Sequence, residues 1–305
     1  MKKQIIVFFI CLIVLLTSYK QEDVNKNNET VDEIKETIKK DTQKVDIVYK
    51  DEEMNLDIED YVVGVVACEM PASFEIEALK AMGVAARTFA LYKIETNDNY
   101  KLSTTTKDQC YIDVNTMKSR WGDSFDNNYS KIKDAVYETS NQKLTYNDKT
   151  IIAFYFSISN GYTENCENVF SQKLDYLVSV DSSWDDKYSY KEKTIKMNVS
   201  DFLDKLGLSS SKIDSIDIDR SDTGRAKYVT INNQRFKGTK FRQLLGLRST
   251  DVDIKVNGDY VYINTKGYGH GVGMSQYGAN EMAKLGYNYK EIVDHYYQNT
   301  EIITI

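Results

Sequence analysis

Proline, histidine and paired cysteines are scarce in this sequence. Pro71 is the one proline among 305 residues, and His270 and His295 are the only histidines. The four cysteines form no C-x-x-C pair. A structural zinc site needs four close Cys or His ligands, and the two histidines do not complete one near the cysteines. The sequence therefore predicts no bound cofactor, with zinc left open as an alternative.

The cysteines do not indicate a disulfide framework. Cys11 lies in the apolar N-terminal segment, which leaves an odd number, Cys68, Cys110 and Cys166, for the folded part. We predict that these three are buried free thiols. A Cys110–Cys166 disulfide and a metal site are the alternatives.

An excess of positive charge is also lacking. The chain has 39 Lys and Arg against 46 Asp and Glu, a formal net charge of −7, and its pI is near 5.1. Proteins that bind nucleic acid usually carry a basic stripe, so nucleic acid is not a predicted partner. Tyrosine is abundant, at 23 residues, which suits either a polar-lined groove or a wet interior.

The apolar run at the N-terminus is short. Residues 5–16 follow Lys2 and Lys3, and this length fits a secretory signal better than a membrane span of roughly 20 residues. Residues 17–19 make a weak cleavage site, so an uncleaved anchor is the alternative, and Tyr19 replaces the cysteine that a lipoprotein signal needs. We expect residues 1–19 to be a signal or membrane anchor, with the bulk of the protein on the extracytoplasmic face of the membrane.

The rest of the chain predicts an α+β fold: a helix-rich core with mixed strands and an inserted smaller β-rich lobe, with a groove between them. Residues 20–44 alternate in charge and indicate a solvated juxtamembrane stalk. Residues 45–189 and 265–305 are predicted to form the two parts of a catalytic core. Residues 190–264 change to short strands joined by Gly, Asp and Asn turns, which predicts the lobe.

Two helices are predicted around the proline. Residues 57–68 and 74–95 carry apolar side chains at helical spacing, and Asp57 is the expected N-cap of the first helix. Because Pro71 disfavours helix at the preceding residue, the first helix should end near Met70. The other predicted elements are a short strand at 45–49, a helix running into a strand at 130–146, a buried strand at 151–158, lobe strands at 213–218, 228–231, 252–256 and 260–263, lobe helices at 199–206 and 242–245, and terminal helices at 275–284 and 289–297.

Glu69 falls in the last turn of the first predicted helix. The helix macrodipole disfavours a negative charge there, and the apolar neighbours Val65, Val66 and Met70 add desolvation. Both effects raise the pKa of a carboxyl group. A carboxylic acid that is still protonated near neutral pH is what cleavage of a glycosidic bond requires. The alternative is an ordinary surface glutamate that precedes a helix-ending proline.

A glycine-rich loop is the second candidate. Residues 267–279 read GYGHGVGMSQYGA. A phosphate-binding loop is excluded because Gly-Lys-Ser/Thr is absent, and the dinucleotide and nucleophile-elbow patterns are both incomplete. A strand-to-helix turn whose backbone approaches a polar ligand remains, in which His270, Ser275 and Gln276 offer hydrogen bonds. A tight turn with a satisfied histidine is the alternative.

The third candidate is the segment YFSISNGYTE at residues 155–164. A strand that delivers alternate hydroxyl groups into a Gly/Asn turn, with aromatic faces beside them, suits sugar recognition. Glu164 and Glu167 are candidate second carboxylates. The alternative is a hairpin end with solvated polar residues.

Together these residues resemble the stage II sporulation protein D family, which also includes amidase-enhancer proteins. The likeness extends from residue 45 to residue 305 and rests on several motifs in order. They are EMPASF at 69–74, VAART at 84–88, STT at 103–105, Ser159 followed by GYTE at 161–164, LRS at 247–249, and the loop at 267–279.

The resemblance implies a lytic transglycosylase that acts on peptidoglycan glycan strands. Such an enzyme would be anchored on the mother-cell side of the sporulation septum. It would act in engulfment beside a partner amidase/endopeptidase, stage II sporulation protein P. Glu69 would be the general acid/base, and one carboxylate suffices because the muramyl 6-hydroxyl of the substrate is the nucleophile. The candidate substrate-binding residues are Tyr155, Ser157, Ser159, Gly161, Tyr162, Gly269, His270, Gly271, Ser275 and Gln276.

Three positions depart from the family pattern. Cys68 precedes Glu69 where alanine is usual, Lys107 stands where histidine is frequent, and Asn160 replaces a glycine. Cys68 can alter the surroundings of the acid, and Lys107 weakens the case for a metal cluster near Cys110, although some relatives are described as carrying zinc. Two other classes of function stay open: a catalytically silent wall module that recruits or stimulates an amidase, and an anchored septal scaffold.

Overall fold

The computed structural model describes residues 43–189 and 192–305. Residues 45–305 form one compact unit. The predicted signal or anchor at residues 1–19, and nearly all of the predicted stalk at 20–44, lie outside the described residues. None of the described helices combines the length and the apolar composition that crossing a bilayer requires.

Helices and short strands alternate along the described chain. The helices are α1 (Ile58–Glu69), α2 (Ile76–Thr96), α3 (Val114–Trp121), α4 (Phe125–Tyr137), α5 (Cys166–Phe170), α6 (Val199–Leu206), α7 (Gly238–Leu245), α8 (Gln276–Lys284) and α9 (Tyr289–Tyr296). The strands are β1 (Lys44–Tyr49), β2 (Glu52–Asp57), β3 (Leu102–Ser103), β4 (Gln142–Tyr146), β5 (Lys149–Thr150), β6 (Tyr155–Phe156), β7 (Glu192–Asn198), β8 (Ile216–Arg220), β9 (Ala226–Ile231), β10 (Gln234–Lys237), β11 (Asp251–Asn257), β12 (Tyr260–Lys266), β13 (Met274–Ser275) and β14 (Glu301–Thr304). The predicted α+β class is confirmed.

Helices α1 and α2 form the centre of the larger hydrophobic core. Asp57 caps α1, since its carboxylate accepts a hydrogen bond from the Glu59 amide at 3.0 Å. A buried ion pair joins the two helices: the guanidinium of Arg87 donates to both carboxylate oxygens of Glu59, at 2.8 and 2.5 Å. A paired geometry of this kind is what allows two charges to be fully buried. The pair fixes how α2 lies against α1.

Two sheets belong to residues 192–266, and their strands pair only with one another. Strands β7, β12 and β11 form one antiparallel sheet, and β8, β9 and β10 form the other. Their apolar side chains, with those of α6 and α7, make a hydrophobic cluster separate from the larger core. The boundaries predicted for the lobe, and the groove beside it, stay predictions.

One short parallel pair matters for the site. Strand β13 pairs with β6, with Met274 opposite Tyr155 and Ser275 opposite Phe156. Because β13 leads directly into α8, the first residue of that helix, Gln276, lies close to Tyr155.

The prediction of one buried strand at residues 151–158 is wrong. Only β6 is a strand, although Ile151, Ala153 and Ile158 are buried as expected. Just before β6 the carbonyl of Phe154 accepts hydrogen bonds from the Met274 amide at 3.1 Å and the Tyr297 hydroxyl at 2.9 Å. A run of apolar residues predicts that a segment is buried, and a buried segment does not need to form a continuous ladder of hydrogen bonds with a neighbouring strand.

Two further differences concern helices. The helix predicted from residue 130 begins at Phe125 and ends at Tyr137, before β4. Helix α3 was not predicted; the carboxylate of Asp113 caps it by accepting from the Thr116 amide at 2.7 Å. Its sequence carries few apolar residues, and only Met117 is buried, so periodicity gives little signal.

Candidate active site

Glu69 is the last residue of α1, as the position of Pro71 predicts. The amide of Met70 closes the helix by donating to the Val66 carbonyl at 3.0 Å, and Met70 itself is extended. The Glu69 side chain is partly buried. The carboxyl group therefore lies at the negative end of the helix dipole and retains a path to solvent.

Both carboxylate oxygens of Glu69 accept hydrogen bonds from distant segments. Oε1 accepts from the backbone amide of Cys110 at 2.9 Å, and Oε2 accepts from the side-chain amide of Gln276 at 3.2 Å. The hydroxyl of Tyr155 also interacts with the carboxylate. None of these partners is itself a carboxylate, so the surroundings described here make a site with a single acidic group.

The pKa of Glu69 is raised above its ordinary value. Burial is the largest cause, and the hydrogen bonds from Cys110, Gln276 and Tyr155 act in the opposite direction. The net direction is the one required of a group that must hold a proton near neutral pH and later take one back. The geometry can thus perform proton transfer to a bound substrate.

A buried glutamine orients the Tyr155 hydroxyl. Gln109 donates to the Tyr155 oxygen at 2.9 Å and accepts from the hydroxyl of Tyr61 at 3.1 Å. Because the Tyr155 oxygen already accepts from Gln109, its own proton is available to Glu69. Burial and the nearby Glu69 charge raise the pKa of Tyr155 well above its usual value, so it stays a neutral donor. Sequence reasoning missed Gln109, which lies outside every motif.

The glycines of the loop at residues 267–279 accommodate the protein's own atoms. Gly271 has φ +86°, and a side-chain carbon there would lie 2.7 Å from the Arg225 guanidinium. Gly273 has φ +77°, and a side-chain carbon would overlap the Phe154 carbonyl. A close backbone approach was predicted for this loop. In the structure the groups approached are Arg225 and the chain before β6.

Comparisons with known proteins bear on this arrangement. Residues 50–146 match the sequence model of a family described as Stage II sporulation protein. The chain is 42% identical over 256 residues to Stage II sporulation protein D of Bacillus subtilis (strain 168), covering 81% of this chain and 75% of the relative. The protein of the same name in Bacillus amyloliquefaciens is also 42% identical, with 74% of its length covered.

The chain belongs to the stage II sporulation protein D family. A further relative, an amidase enhancer of Bacillus subtilis (strain 168), is 31% identical over 295 residues, which cover 78% of this chain and 40% of that protein. These relatives confirm the resemblance that the motifs indicate. Membership of the stage II sporulation protein D family connects the chain with sporulation.

The cysteines of this family member correct an expectation. Cys68 and Cys110 form a disulfide, and Cys166 is a buried free thiol. The Cys110–Cys166 pairing is therefore wrong, and buried free thiols are correct for Cys166 alone. The two bonded residues are 42 positions apart and meet because the segment after Cys110 packs on α1, where the Ile112 amide donates to the Gly64 carbonyl at 3.2 Å. The spacing of the cysteines along the sequence does not predict that contact.

No metal centre is apparent in the described part of the chain, where no three His, Cys, Asp or Glu side chains are grouped to hold an ion. The disulfide removes the thiolates of Cys68 and Cys110 from any such group. Lys107, at the position where relatives often have histidine, is exposed. The residues present beside Glu69 therefore do not fit the zinc that some family members are described as carrying.

His270 is part of the loop's internal structure. Its Nδ1 accepts from the Val272 amide at 3.1 Å, and its ring lies against Phe154, Phe156 and Phe170. Burial lowers the pKa of His270 to about 3, so the ring is neutral. Side chains alternate along an extended segment. Phe154 and Phe156 contact His270, whereas Tyr155 between them faces Glu69.

The structure brings together some of the predicted substrate-binding residues and separates others. Tyr155 and Gln276 meet at Glu69. Ser159 and Ser275 are fully buried, and both bond to the carboxylate of Asp185: the Ser159 amide at 2.9 Å and the Ser275 hydroxyl at 2.8 Å. The remaining predicted residues, which do not contact Glu69, are the partly buried Ser157, Gly269 and His270, the buried Gly161 and Gly271, and the exposed Tyr162.

The candidate second carboxylate Glu164 is likewise engaged elsewhere. It is buried, and one of its oxygens accepts from the hydroxyls of Ser221 and Thr223, both at 2.5 Å. Those hydroxyls come from the loop before β9. Glu164 thus joins residues of the larger core to the segment that enters the second hydrophobic cluster. Glu167 is exposed on α5.

Proposed function

We propose that this protein is a membrane-anchored peptidoglycan lytic transglycosylase that acts during sporulation engulfment, with Glu69 as its general acid/base. It would cleave the bond between N-acetylmuramic acid and N-acetylglucosamine. The observation that carries the proposal is the environment of the Glu69 carboxyl group. The group is partly buried, its pKa is raised above the ordinary value, and both of its oxygens accept hydrogen bonds. Family membership supplies the sporulation context, and the amidase enhancer among the relatives supports a role at the cell wall.

Glu69 would act twice in the reaction. It first gives its proton to the glycosidic oxygen, so that the bond between that oxygen and C1 of the muramyl residue breaks. The resulting carboxylate then takes the proton of the muramyl 6-hydroxyl, whose oxygen attacks C1. The product is a 1,6-anhydro-muramyl end, and Glu69 is protonated again. A second carboxylate is unnecessary because the substrate supplies its own nucleophile, unlike the paired-carboxylate hydrolases.

The surroundings of Glu69 support this cycle. Tyr155, Gln276 and the Cys110 amide touch the carboxyl, so they are positioning groups that stabilise its ionised form after the first step. Burial favours the neutral form before that step. The two influences keep both states accessible.

The proposed location is the extracytoplasmic face of the membrane on the mother-cell side of the septum, with the N-terminus as anchor. The Cys68–Cys110 disulfide supports this location, because disulfides persist in oxidising surroundings outside the cytoplasm. The proposed partners are glycan strands and the amidase/endopeptidase stage II sporulation protein P.

The alternative function is a catalytically silent wall module that recruits or stimulates an amidase. The amidase enhancer among the relatives favours it. In such a module the Glu69 carboxyl would be a structural group, and its replacement would leave the effect on an amidase intact.

Replacing Glu69 by glutamine separates the two functions, because Glu69→Gln keeps the size of the side chain but cannot shuttle a proton. We expect the variant to release no anhydro-muropeptides from purified peptidoglycan, by mass analysis, while it still binds glycan strands. Anhydro products at the wild-type rate would show that the acid/base assignment is wrong. The same variant assayed for stimulation of an amidase tests the alternative directly.

A further inference from the structure

The two oxygens of Glu69 have partners of different chemical kinds. A backbone amide such as that of Cys110 can only donate, so Oε1 accepts a hydrogen bond whether Glu69 is ionised or neutral. The side-chain amide of Gln276 at Oε2 can donate to a carboxylate or, turned about, accept from a carboxylic acid. The proton of the neutral acid therefore belongs on Oε2.

The position of the Cys110 amide is set by a covalent bond beside the acid. Cys68 directly precedes Glu69 in α1, and its sulfur is bonded to that of Cys110. The residue before the acid is thus tied to the residue that donates to the acid. Cys110 is therefore connected to two adjacent residues of α1, to Cys68 by the disulfide and to Oε1 of Glu69 by the hydrogen bond at 2.9 Å.

We propose that the Cys68–Cys110 disulfide is a positioning element of the active site, which holds the Cys110 amide against Oε1 and so confines the transferable proton of Glu69 to Oε2. This inference rests on the proposed role of Glu69. It adds two positioning residues, Cys68 and Cys110, which act through Glu69.

Other contacts keep this segment near α1 when the disulfide is absent. The Ile112 amide donates to the Gly64 carbonyl at 3.2 Å, the Tyr61 hydroxyl donates to Gln109 at 3.1 Å, and the rings of Tyr61 and Tyr111 stack with centroids 5.7 Å apart. These anchors lie on both sides of Cys110. Loss of the disulfide should therefore loosen the Cys110 amide without releasing the segment, and small misplacements at a reacting group are costly in rate.

The pH dependence gives a readout that a purely structural disulfide would not change. The hydrogen bond from Cys110 lowers the pKa of Glu69, so its loss raises that pKa. Since the first step needs the protonated acid, the basic limb of the kcat profile moves to higher pH. Among the described residues, the titratable side chains that face Glu69 are Tyr61 on α1 and Tyr155 on β6, and burial raises the pKa of both above their usual range.

The buried charged group of the neighbouring segment, Asp108, is already paired, and Lys107 beside it is exposed. Asp108, two residues before Cys110, forms an ion pair with Lys93 at 2.9 Å and accepts from the hydroxyl of Tyr100. The contact from α8 is the uncharged Gln276. A shift of the basic limb can therefore be assigned to Glu69 where the Cys68→Ala/Cys110→Ala variant, which has no thiol beside the acid, shows it as well.

The test compares the full-length protein, oxidised and after treatment with a phosphine reductant, with the variant Cys68→Ala/Cys110→Ala, on purified peptidoglycan. We expect kcat to fall about tenfold in the reduced enzyme and in the variant, with KM little changed and the basic limb at higher pH. The reductant should have no effect on the variant, which controls for any action of the reductant other than on the Cys68–Cys110 disulfide. Thiol alkylation verifies reduction, and circular dichroism verifies the fold.

Three outcomes would overturn the inference. Unchanged kcat and pH profile in a verified reduced enzyme would show that the disulfide does not position Glu69. A loss of kcat without movement of the basic limb, or unfolding upon reduction, would show that the disulfide only stabilises the fold. Failure of the proposed function is distinguishable, because there the oxidised wild-type protein would release no anhydro-muropeptides, or its Glu69→Gln variant would release them at the same rate.

Discussion

At the scale of single residues, the Glu69 carboxyl is subject to two opposing influences. Burial raises its pKa, and three donors lower it, those of Cys110, Gln276 and Tyr155. A group that first gives and then takes a proton works best when its pKa lies near the working pH. If Glu69 has the proposed acid/base role, removing one of these donors changes the chemistry of the site as well as the stability of the fold.

The Tyr155→Phe substitution tests the effect of one donor on Glu69, because phenylalanine keeps the shape of the tyrosine ring. The ring remains, but the hydroxyl that stabilises the carboxylate is lost, so the pKa of Glu69 rises further. We expect kcat to fall about tenfold and the basic limb of the kcat profile to move to higher pH. The free energy of unfolding should also fall by about 1–3 kcal/mol, because buried Gln109 loses its acceptor.

Tyr297→Phe is the matched control for Tyr155→Phe. Tyr297 is fully buried, and its hydroxyl donates to the Phe154 carbonyl at 2.9 Å rather than to Glu69. The control should lose about 1 kcal/mol of stability and keep the kcat profile of the wild type. Equal kcat profiles in the two variants would contradict a role for Tyr155 in the acid/base cycle.

At the scale of helices and strands, regular patterns are predictable from the sequence and irregular ones are not. Helix α1 ends where Pro71 predicts, and α6 has the predicted bounds, because apolar spacing and helix-terminating residues are local signals. The residues around β6 form only a two-residue strand, since their pairing is decided by β13 more than 100 positions away. Local hydrophobicity predicts their burial only.

The same distinction applies to the site. Glu69 and Gln276 are predicted from motifs, but the contact between them joins residues 207 positions apart. The disulfide and Gln109 are not predicted, because each acts through a tertiary contact with no periodic or motif signal. Residue types carry the chemistry of a site, whereas the fold decides which residues meet.

The glycine-rich loop gives a prediction for an element. Gly273→Ala would place a side-chain carbon against the Phe154 carbonyl at a positive φ of +77°. We expect a loss of more than about 3 kcal/mol in the free energy of unfolding, since backbone strain of about 1–2 kcal/mol adds to an overlap that neither segment can relieve. Urea denaturation followed by circular dichroism measures it.

Gly258→Ala is the control for backbone strain alone. Gly258 also has a positive φ, +57°, and a side-chain carbon there would have no neighbour within 4 Å. This variant should lose only about 1 kcal/mol. If the two variants are equally destabilised, the loop glycines are needed for their conformation and not for the close packing against the chain before β6.

At the scale of the whole molecule, the two hydrophobic clusters are joined by buried polar contacts. Arg225, just before β9, donates to the Tyr162 carbonyl at 2.8 Å and lies beneath Gly271 of the glycine-rich loop. Glu164 accepts from the hydroxyls of Ser221 and Thr223. Residues on either side of the predicted boundary at position 190 therefore depend on one another, and a change in the smaller cluster can reach the loop that carries Gln276.

The disulfide beside Glu69 also depends on the compartment in which the whole chain matures. Of the four cysteines, Cys68 and Cys110 are bonded, and Cys166 is free. The fourth, Cys11, belongs to the apolar N-terminal run, whose structure lies outside the described residues. A chain that matures outside the cytoplasm keeps the disulfide, whereas one that stays in the cytoplasm is reduced. The number of free thiols therefore reports location, and it also reports whether residues 1–19 are retained.

Thiol counting on the membrane fraction of sporulating cells tests the proposed location. Protein denatured in the presence of an alkylating reagent and weighed by mass spectrometry should carry two labels, on Cys11 and Cys166, if the anchor is retained and the disulfide has formed. The same sample treated first with a reductant should carry four, which verifies the reagent. Four labels without reductant would place the chain in a reducing compartment and contradict an extracytoplasmic enzyme. One label would show that the N-terminal segment is a cleaved signal, so that another contact must hold the protein at the membrane.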